Sequence, residues 1–260
     1  MSSTLKFPLV CALCFVCLSL TACAERQPTV VTDFHAPVHH APEPEHIDET
    51  SPFYVYDPLE SWNRQVYDFN ARLDQYVLMP IVTVYEHTVP EIMQTGFSNF
   101  FSNVGEVSTF VNCVLQLDVD GAANTFARFV TNTTIGLGGF IDIADMGGIE
   151  KEEEDFGQTL GTWGVPPGPY LVLPVFGPSN LRDTGGLGVD LAMVWIEENA
   201  VLNYLDPNFT FAFRAGYLTV KGIDVRKKIL FTYYQDGSLF EYDIVRFIYS
   251  KKREWDIEKH

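Results

Sequence analysis

Arg64, Asn70 and Asp74 sit among the apolar positions of one stretch with helical spacing, beside Asn63 and Arg72, and Arg128, Arg182 and Asp183 interrupt other apolar runs in the same way. Burying a charge without a partner is costly. Such side chains are therefore either paired with one another or turned toward water, and the sequence leaves both readings open. Arginine in this setting suits bidentate recognition of phosphate or carboxylate. Nucleophilic and metal chemistry find less support. There is no Gly-x-Ser-x-Gly turn and no His-Glu-x-x-His pair. "DVDGAANTF" opens like a calcium loop, but Ala122 takes a ligand position and no glutamate follows at the twelfth. "GLGGF" lacks the lysine of a phosphate loop. Abundant Asp and Glu are not by themselves evidence of a catalytic pair. We expect no enzyme, no cofactor and no metal site.

The elements that carry these residues read as helices. Asp57, Pro58 and Glu60 look like N-cap, N1 and N3, and apolar residues then recur from Leu59 to Val77 with one apolar face. This helix is expected to stop near Pro80. A second runs through "IVTVYEHTVPEIMQTGFSNFF" with a break at Pro90, a third through "VGEVSTFVNCVLQL", and a fourth through "DGAANTFARFVTNTTIG" with Asp120 as cap and Gly136 as stop. A turn-rich, acidic connector follows. "DTGGLGVDLAMVWIEENAVLNYL" gives another helix and the tail two more, punctuated by Asp236-Gly237. None is uniformly apolar enough for a membrane span, though amphipathic helices with aromatic residues can lie in a membrane interface.

The chain begins with Lys6 and a 16-residue apolar run ending in small residues, a secretory signal too short for a span of roughly 20 residues. It closes on "LTAC", which resembles the lipobox of bacterial lipoproteins, with Cys23 as the lipid attachment site. Cys11, Cys14 and Cys17 fall in the signal, so a lipidated Cys23 leaves only Cys113, in an apolar run that reads as core. A Cys23–Cys113 bridge in an unlipidated chain is the alternative. Residues 1–22 are thus read as signal peptide, 23–55 as a lipidated, disordered Pro/His/Glu-rich tether, and 56–255 as the folded domain. The tether's histidines (His35, His39, His40, His46) are read as a solvated tail. The whole chain carries 17 basic and 34 acidic residues, a balance that disfavours nucleic acid as partner. Nine of the basic residues lie between Lys221 and Lys259.

One stretch fits no element. "FGQTLGTWGVPPGPYLVLPVFGPSNLRD", from Phe156 to Asp183, is rich in Gly and Pro yet apolar and aromatic. Flexible glycines flank a stiff Pro-Pro centre, so Gly161, Trp163, Gly164 and Gly168 are candidates for a pivoting loop, against the alternative of a rigid brace.

Four segments, "DPLESWNRQVYDFNARLD", "RFVTNTTIGLGGFIDIA", "EDFGQTLGTWGVPPGPYLVLPVFGPSNLRD" and "YDIVRFIYSKKR", together resemble the MlaA/VacJ family of outer-membrane lipoproteins over about residues 57–253. The resemblance implies a mainly α, ring-like bundle of amphipathic helices with one irregular, hairpin-like Gly/Pro-rich insert. It implies a lipid anchor in the periplasmic leaflet of a Gram-negative-type outer membrane, often beside a trimeric porin. It implies extraction of mislocalised phospholipid from the outer leaflet through a polar channel to a periplasmic MlaC-type shuttle protein. In that setting Arg64, Asn70, Asp74, Arg128, Arg182 and Asp183 are candidates to line the channel and meet the head group, and the Gly161–Gly168 loop a candidate gate. A lipoprotein scaffold that transports nothing is the alternative. The tether is longer than the family usually has, and little chain follows "SKKREW", which puts shuttle docking through a C-terminal tail in doubt.

Overall fold

A computed structural model describes residues 54–259 except 207, 209, 230 and 235–239. The signal, Cys23, the tether up to residue 53 and Asp236-Gly237 lie outside the described residues. Helix α1 spans Glu60–Leu73 and runs without a stop through a wide π-type turn, Asp74–Leu78, into α2, Met79–Thr88. Proline 80 does not end the helix as expected. It falls in the first turn of α2, just past the wide turn, where its missing N–H costs least. The break comes at Val89–Pro90, where Val89 turns extended. Helix α3, Glu91–Gln116, is one element of 26 residues, not two. The expected boundary fell at Ser102-Asn103, and neither acts as a cap.

The other caps also moved. Leu59 occupies the N-cap of α1 with no side-chain bond. Asp57 is spent on tertiary contacts instead, accepting from Asn63 Nδ2 at 2.7 Å, the Tyr242 hydroxyl at 2.5 Å and Arg246 Nη1 at 3.0 Å. Helix α4, Val119–Thr134, is capped by Asp118, which accepts from the Gly121 amide, and Asp120 sits in its first turn. The acidic connector contains α5, Ile143–Met146, capped by Asp142.

The Gly/Pro-rich stretch resolves into a short helix and a hairpin. Helix α6 spans Phe156–Thr162 with Asp155 as cap. Strands β1, Tyr170–Leu173, and β2, Gly177–Asn180, pair antiparallel with Val172 opposite Pro178. Helix α7, Leu181–Leu205, follows at once, capped by Asn180. Helices α8, Phe211–Lys228, and α9, Glu241–Glu258, complete the chain.

The outer edge of β1 would expose unpaired backbone groups, and α1 covers it with two amides. Asn63 donates to the Tyr170 carbonyl at 3.1 Å and accepts from the Val172 amide at 2.9 Å. Asn70 donates to the Leu173 carbonyl at 2.9 Å and accepts from the Val175 amide at 2.8 Å. Seven helical residues rise about 10.5 Å and three strand residues span about 10 Å, so the spacing of the two asparagines matches the strand they clasp. The Tyr170 amide donates to the Tyr56 carbonyl at 2.9 Å, and Val55 packs on the apolar cluster of Val66, Tyr67, Tyr170, Val172 and Tyr242. Asn63→Ala leaves two buried backbone groups unpaired and is expected to cost about 2–4 kcal/mol in a denaturant titration in mild detergent. A loss below about 0.5 kcal/mol would show that the clasp holds nothing.

The elements close on themselves. Along the chain α1 leads into α2, which touches α8; α8 touches α3, α3 touches α6, α6 touches α9, α9 touches β2, and β1 returns to α1. The mainly α fold is a ring-like circuit, with α4 packed on α3, α5 on α4, and α7 on α6.

Its polarity is reversed from that of a protein dissolved in water. Among the described residues 13 apolar side chains are buried against 22 polar or charged ones, whereas fully buried charges are ordinarily rare. Large apolar side chains face outward instead, among them Ile92, Leu117, Val119, Trp195, Ile196, Phe211 and Trp255. No helix among the described residues is long and apolar enough to cross a membrane.

Candidate functional site

An open cavity of about 410 Å³ lies between α3, α6, α7, α8, α9 and the connector that precedes α6. Helix α3 contributes Phe101, Gly105 and Ser108 to its wall, the connector Lys151, Glu152 and Glu153, and α6 Gln158. Val194 and Glu197 come from α7, Lys221, Asp224 and Lys228 from α8, and Lys252 and Arg253 from α9. Both signs of charge line it, and most are paired. Lys228 meets Asp224 at 2.8 Å, Lys252 meets Asp256 at 2.8 Å, Lys259 meets Glu154 at 2.8 Å, and Lys221 meets Glu198. Glu197 accepts from the Ser108 hydroxyl at 2.5 Å. Burial raises the Glu197 carboxyl above its ordinary value, with the Ser108 hydrogen bond and Lys221 opposing. No group of three or more His, Cys, Asp or Glu among the described residues is placed to hold a metal ion.

The wall is anchored where α6, α7 and α9 meet. Arg253 donates to both oxygens of Asp155 at 2.7 and 2.8 Å and to Asp183 Oδ2 at 2.8 Å. Asp155 caps α6 through the Gln158 amide at 2.8 Å. Asp183, in the first turn of α7, also accepts from the Tyr249 hydroxyl at 2.8 Å, Asn180 Nδ2 at 2.7 Å and Arg182 Nε at 2.8 Å. Two glycines permit the junction: a Cβ on Gly186 would lie 2.5 Å from the Gly157 nitrogen, and one on Gly157 would lie 2.7 Å from Arg253 Nη2.

The six polar positions singled out from the sequence are all hydrogen-bonded, and they fall in separate clusters. Arg64 pairs with Glu60 and Asp243 and lies over the Tyr242 ring. Asn70 clasps the hairpin. Asp74 pairs with Arg226 of α8, tying the wide turn across the circuit. Arg128 pairs with Glu106 and Asp142. Arg182 and Asp183 pair with each other in the Arg253 junction. None of the six is among the residues lining the 410 Å³ cavity. Arg182 and Gly168 instead line a second hollow of about 210 Å³ beside Tyr54 and Tyr56. In the candidate loop, Gly164 and Gly168 adopt left-handed backbone, whereas Gly161 lies within α6 against Ile257. Trp163 Nε1 donates to the Leu115 carbonyl at 3.0 Å. The sequence reading missed the charges that do line the cavity. Their signal was present in the acidic run Glu150–Asp155 and the basic bias of residues 221–259, which look like ordinary solvated faces.

Fold and cavity together define a mainly helical domain with many buried charges, a charged cavity and an apolar exterior. The chain belongs to the MlaA lipoprotein family, matching it over residues 55–256. It is 39% identical over 178 residues to the intermembrane phospholipid transport system lipoprotein MlaA of Escherichia coli, covering 67% of each chain. An uncharacterized protein of Rickettsia felis is 35% identical over 210 residues, covering 78% of this chain and 79% of the relative. A solved structure described as the structural basis for maintenance of bacterial outer membrane lipid asymmetry is 36% identical, with a TM-score of 0.57, covering 77% of this chain and 98% of the other.

Proposed function

We propose that this chain is a non-enzymatic phospholipid transport lipoprotein of the outer membrane, which passes mislocalised outer-leaflet phospholipid inward to a soluble periplasmic shuttle of the MlaC type, with a trimeric porin as neighbour. The charged cavity of a helical domain with an apolar exterior carries this reading. A phospholipid presents two incompatible parts. Its head group needs polar company, since moving an ion into an apolar medium is prohibitive. Its acyl chains need to stay in lipid. An exterior set with Trp195, Phe211 and Trp255 suits burial in a leaflet interface, and the cavity offers the head group a route. Irregular backbone at membrane depth is tolerated where it is covered by protein or lines a wet space, and the asparagine clasp covers the hairpin in this way. The relatives named for phospholipid transport support the same reading. The paired charges at Arg64, Asp74, Arg128, Arg182 and Asp183 serve here as struts for the walls.

Gly105 offers a clean test, because it lines the cavity and a Cβ there meets nothing within 4 Å. In a strain lacking this protein, outer-leaflet phospholipid is expected to rise, and the wild-type chain and Gly105→Ala to restore asymmetry. Gly105→Trp, which narrows the cavity, is expected to fail at equal protein level. Full restoration by Gly105→Trp would sink the transport reading and favour a scaffold.

A further inference from the structure

We infer that the cavity selects a zwitterionic, amine-bearing phospholipid head group over an anionic one, an inference that rests on the transport reading above. Charge inventory is the first ground. Of the cations that line the cavity, Lys221, Lys228, Lys252 and Arg253 each have a carboxylate partner, and Lys151 forms no ion pair among the described residues. Of the lining carboxylates, Glu154, Asp155 and Asp224 are paired, whereas Glu152, Glu153 and Glu197 form no ion pair among the described residues. One cation and three carboxylates are left without an ion pair, Glu197 holding only the Ser108 hydroxyl. That set offers one group for a phosphate and an excess of groups for an ammonium. A head group of net negative charge would meet more repulsion than attraction on the same wall, and like-charge juxtaposition is an effective way to reject a partner.

Gln158 is the second and independent ground. Its side chain is 3% exposed and lines the cavity. Its amide nitrogen donates to the Glu153 carbonyl at 2.9 Å, which fixes the orientation of the amide. Its Oε1 is buried and accepts no hydrogen bond. A buried acceptor without a donor is an exception that calls for a ligand or water. An ammonium brings both N–H donors to it and positive charge to the carboxylates of the wall, whereas a glycerol head group brings O–H donors and leaves the phosphate charge unbalanced. Lys151, Glu152 and Glu153 follow one another in one short connector, with Glu197 of α7 on the same cavity wall, so phosphate and ammonium sites lie side by side, as the two ends of a small zwitterion require.

The test uses the purified full-length chain in detergent, incubated with mixed micelles of equimolar phosphatidylethanolamine and phosphatidylglycerol, with bound lipid counted by native mass spectrometry. Gly105→Trp sets the background from lipid on the outer surface. Wild type is expected to hold phosphatidylethanolamine about tenfold over phosphatidylglycerol above that background. The triple variant Glu152→Gln, Glu153→Gln, Glu197→Gln is expected to bring the ratio close to one, and Lys251→Glu, outside the cavity, to leave it unchanged. Equal binding of the two lipids by wild type overturns the selectivity and leaves transport standing. An unchanged ratio in a folded triple variant also overturns it. Binding of neither lipid above background overturns the transport reading along with it.

Discussion

Replacing Arg253 with leucine is expected to remove about 3–5 kcal/mol of folding stability, the scale of breaking a buried ion pair by deleting one partner. The guanidinium satisfies two carboxylates at once, in a place where three helices meet. Most of the loss should come from Asp183. Its side chain is 7% exposed and that of Arg253 11%, so water cannot replace the lost bond, and Arg182, Tyr249 and Asn180 are left to hold the charge. Asp155 is 41% exposed on the same measure, and water can replace much of what it loses. The pH dependence has a definite sign. Burial acts to raise both carboxyls, but the hydrogen bonds and charge of Arg253 outweigh it and hold Asp155 and Asp183 below the ordinary range. Folded chain then binds fewer protons than unfolded chain in acid. Their contribution is complete above the unfolded carboxyl value of about 4 and is lost as the pH falls below it. The deficit of Arg253→Leu should therefore be full at neutral pH and shrink on acidification. Thermal or denaturant unfolding at pH 7 and below pH 4, in the same detergent, reads both. A deficit under about 1 kcal/mol at pH 7, or one that does not change with pH, would show that the junction is held by packing alone.

The helices were legible because their signal is local. Apolar spacing marked α1 and Pro90 marked a sharp break, whereas α8 begins at Phe211, ten residues before the expected tail helix at Lys221, and ends at Lys228. Boundaries were less legible where a polar side chain had two uses. Asp57 has every local mark of a cap, and is used instead by Asn63, Tyr242 and Arg246, the last two more than 180 residues away. Pro80 was passed because a five-residue wide turn precedes it, a device with no sequence signature. The site was legible only in part. Charges set in apolar runs have some partners nearby, Glu60 for Arg64 and Asp183 for Arg182, but the partners that join one element to another are distant in the chain: Asp74 with Arg226, Asp183 with Arg253, Arg64 with Asp243. Local spacing cannot supply such partners. The inverted polarity hid the rest. Where the outside is apolar, a charged helix face does not announce solvent, so the lining of Lys151, Glu197 and Lys221 read as ordinary surface.

Arg128→Met should be the other severe single change, at about 3–5 kcal/mol. The residue is 1% exposed and is held by three elements. Its Nε donates to Glu106 at 3.0 Å, its Nη2 to Asp142 at 2.7 Å and its Nη1 to the Ile149 carbonyl at 2.5 Å. Ile149 lies two residues before Lys151, so this guanidinium also positions the connector that lines the cavity. Burial already raises the Glu106 carboxyl above its ordinary value despite Arg128, and without Arg128 the cost of keeping it charged is larger. Adding Glu106→Gln removes that stranded charge and should restore more than half of the lost stability, as expected for residues coupled in one network. The double variant then separates two roles that the single change confounds. It has a folded ring and no guanidinium. If Arg128 acts only as a strut, outer-leaflet phospholipid returns to the wild-type level in the double variant along with protein abundance. If abundance returns and asymmetry does not, Arg128 meets the head group itself, and the cavity extends to the α3–α4 side of the ring.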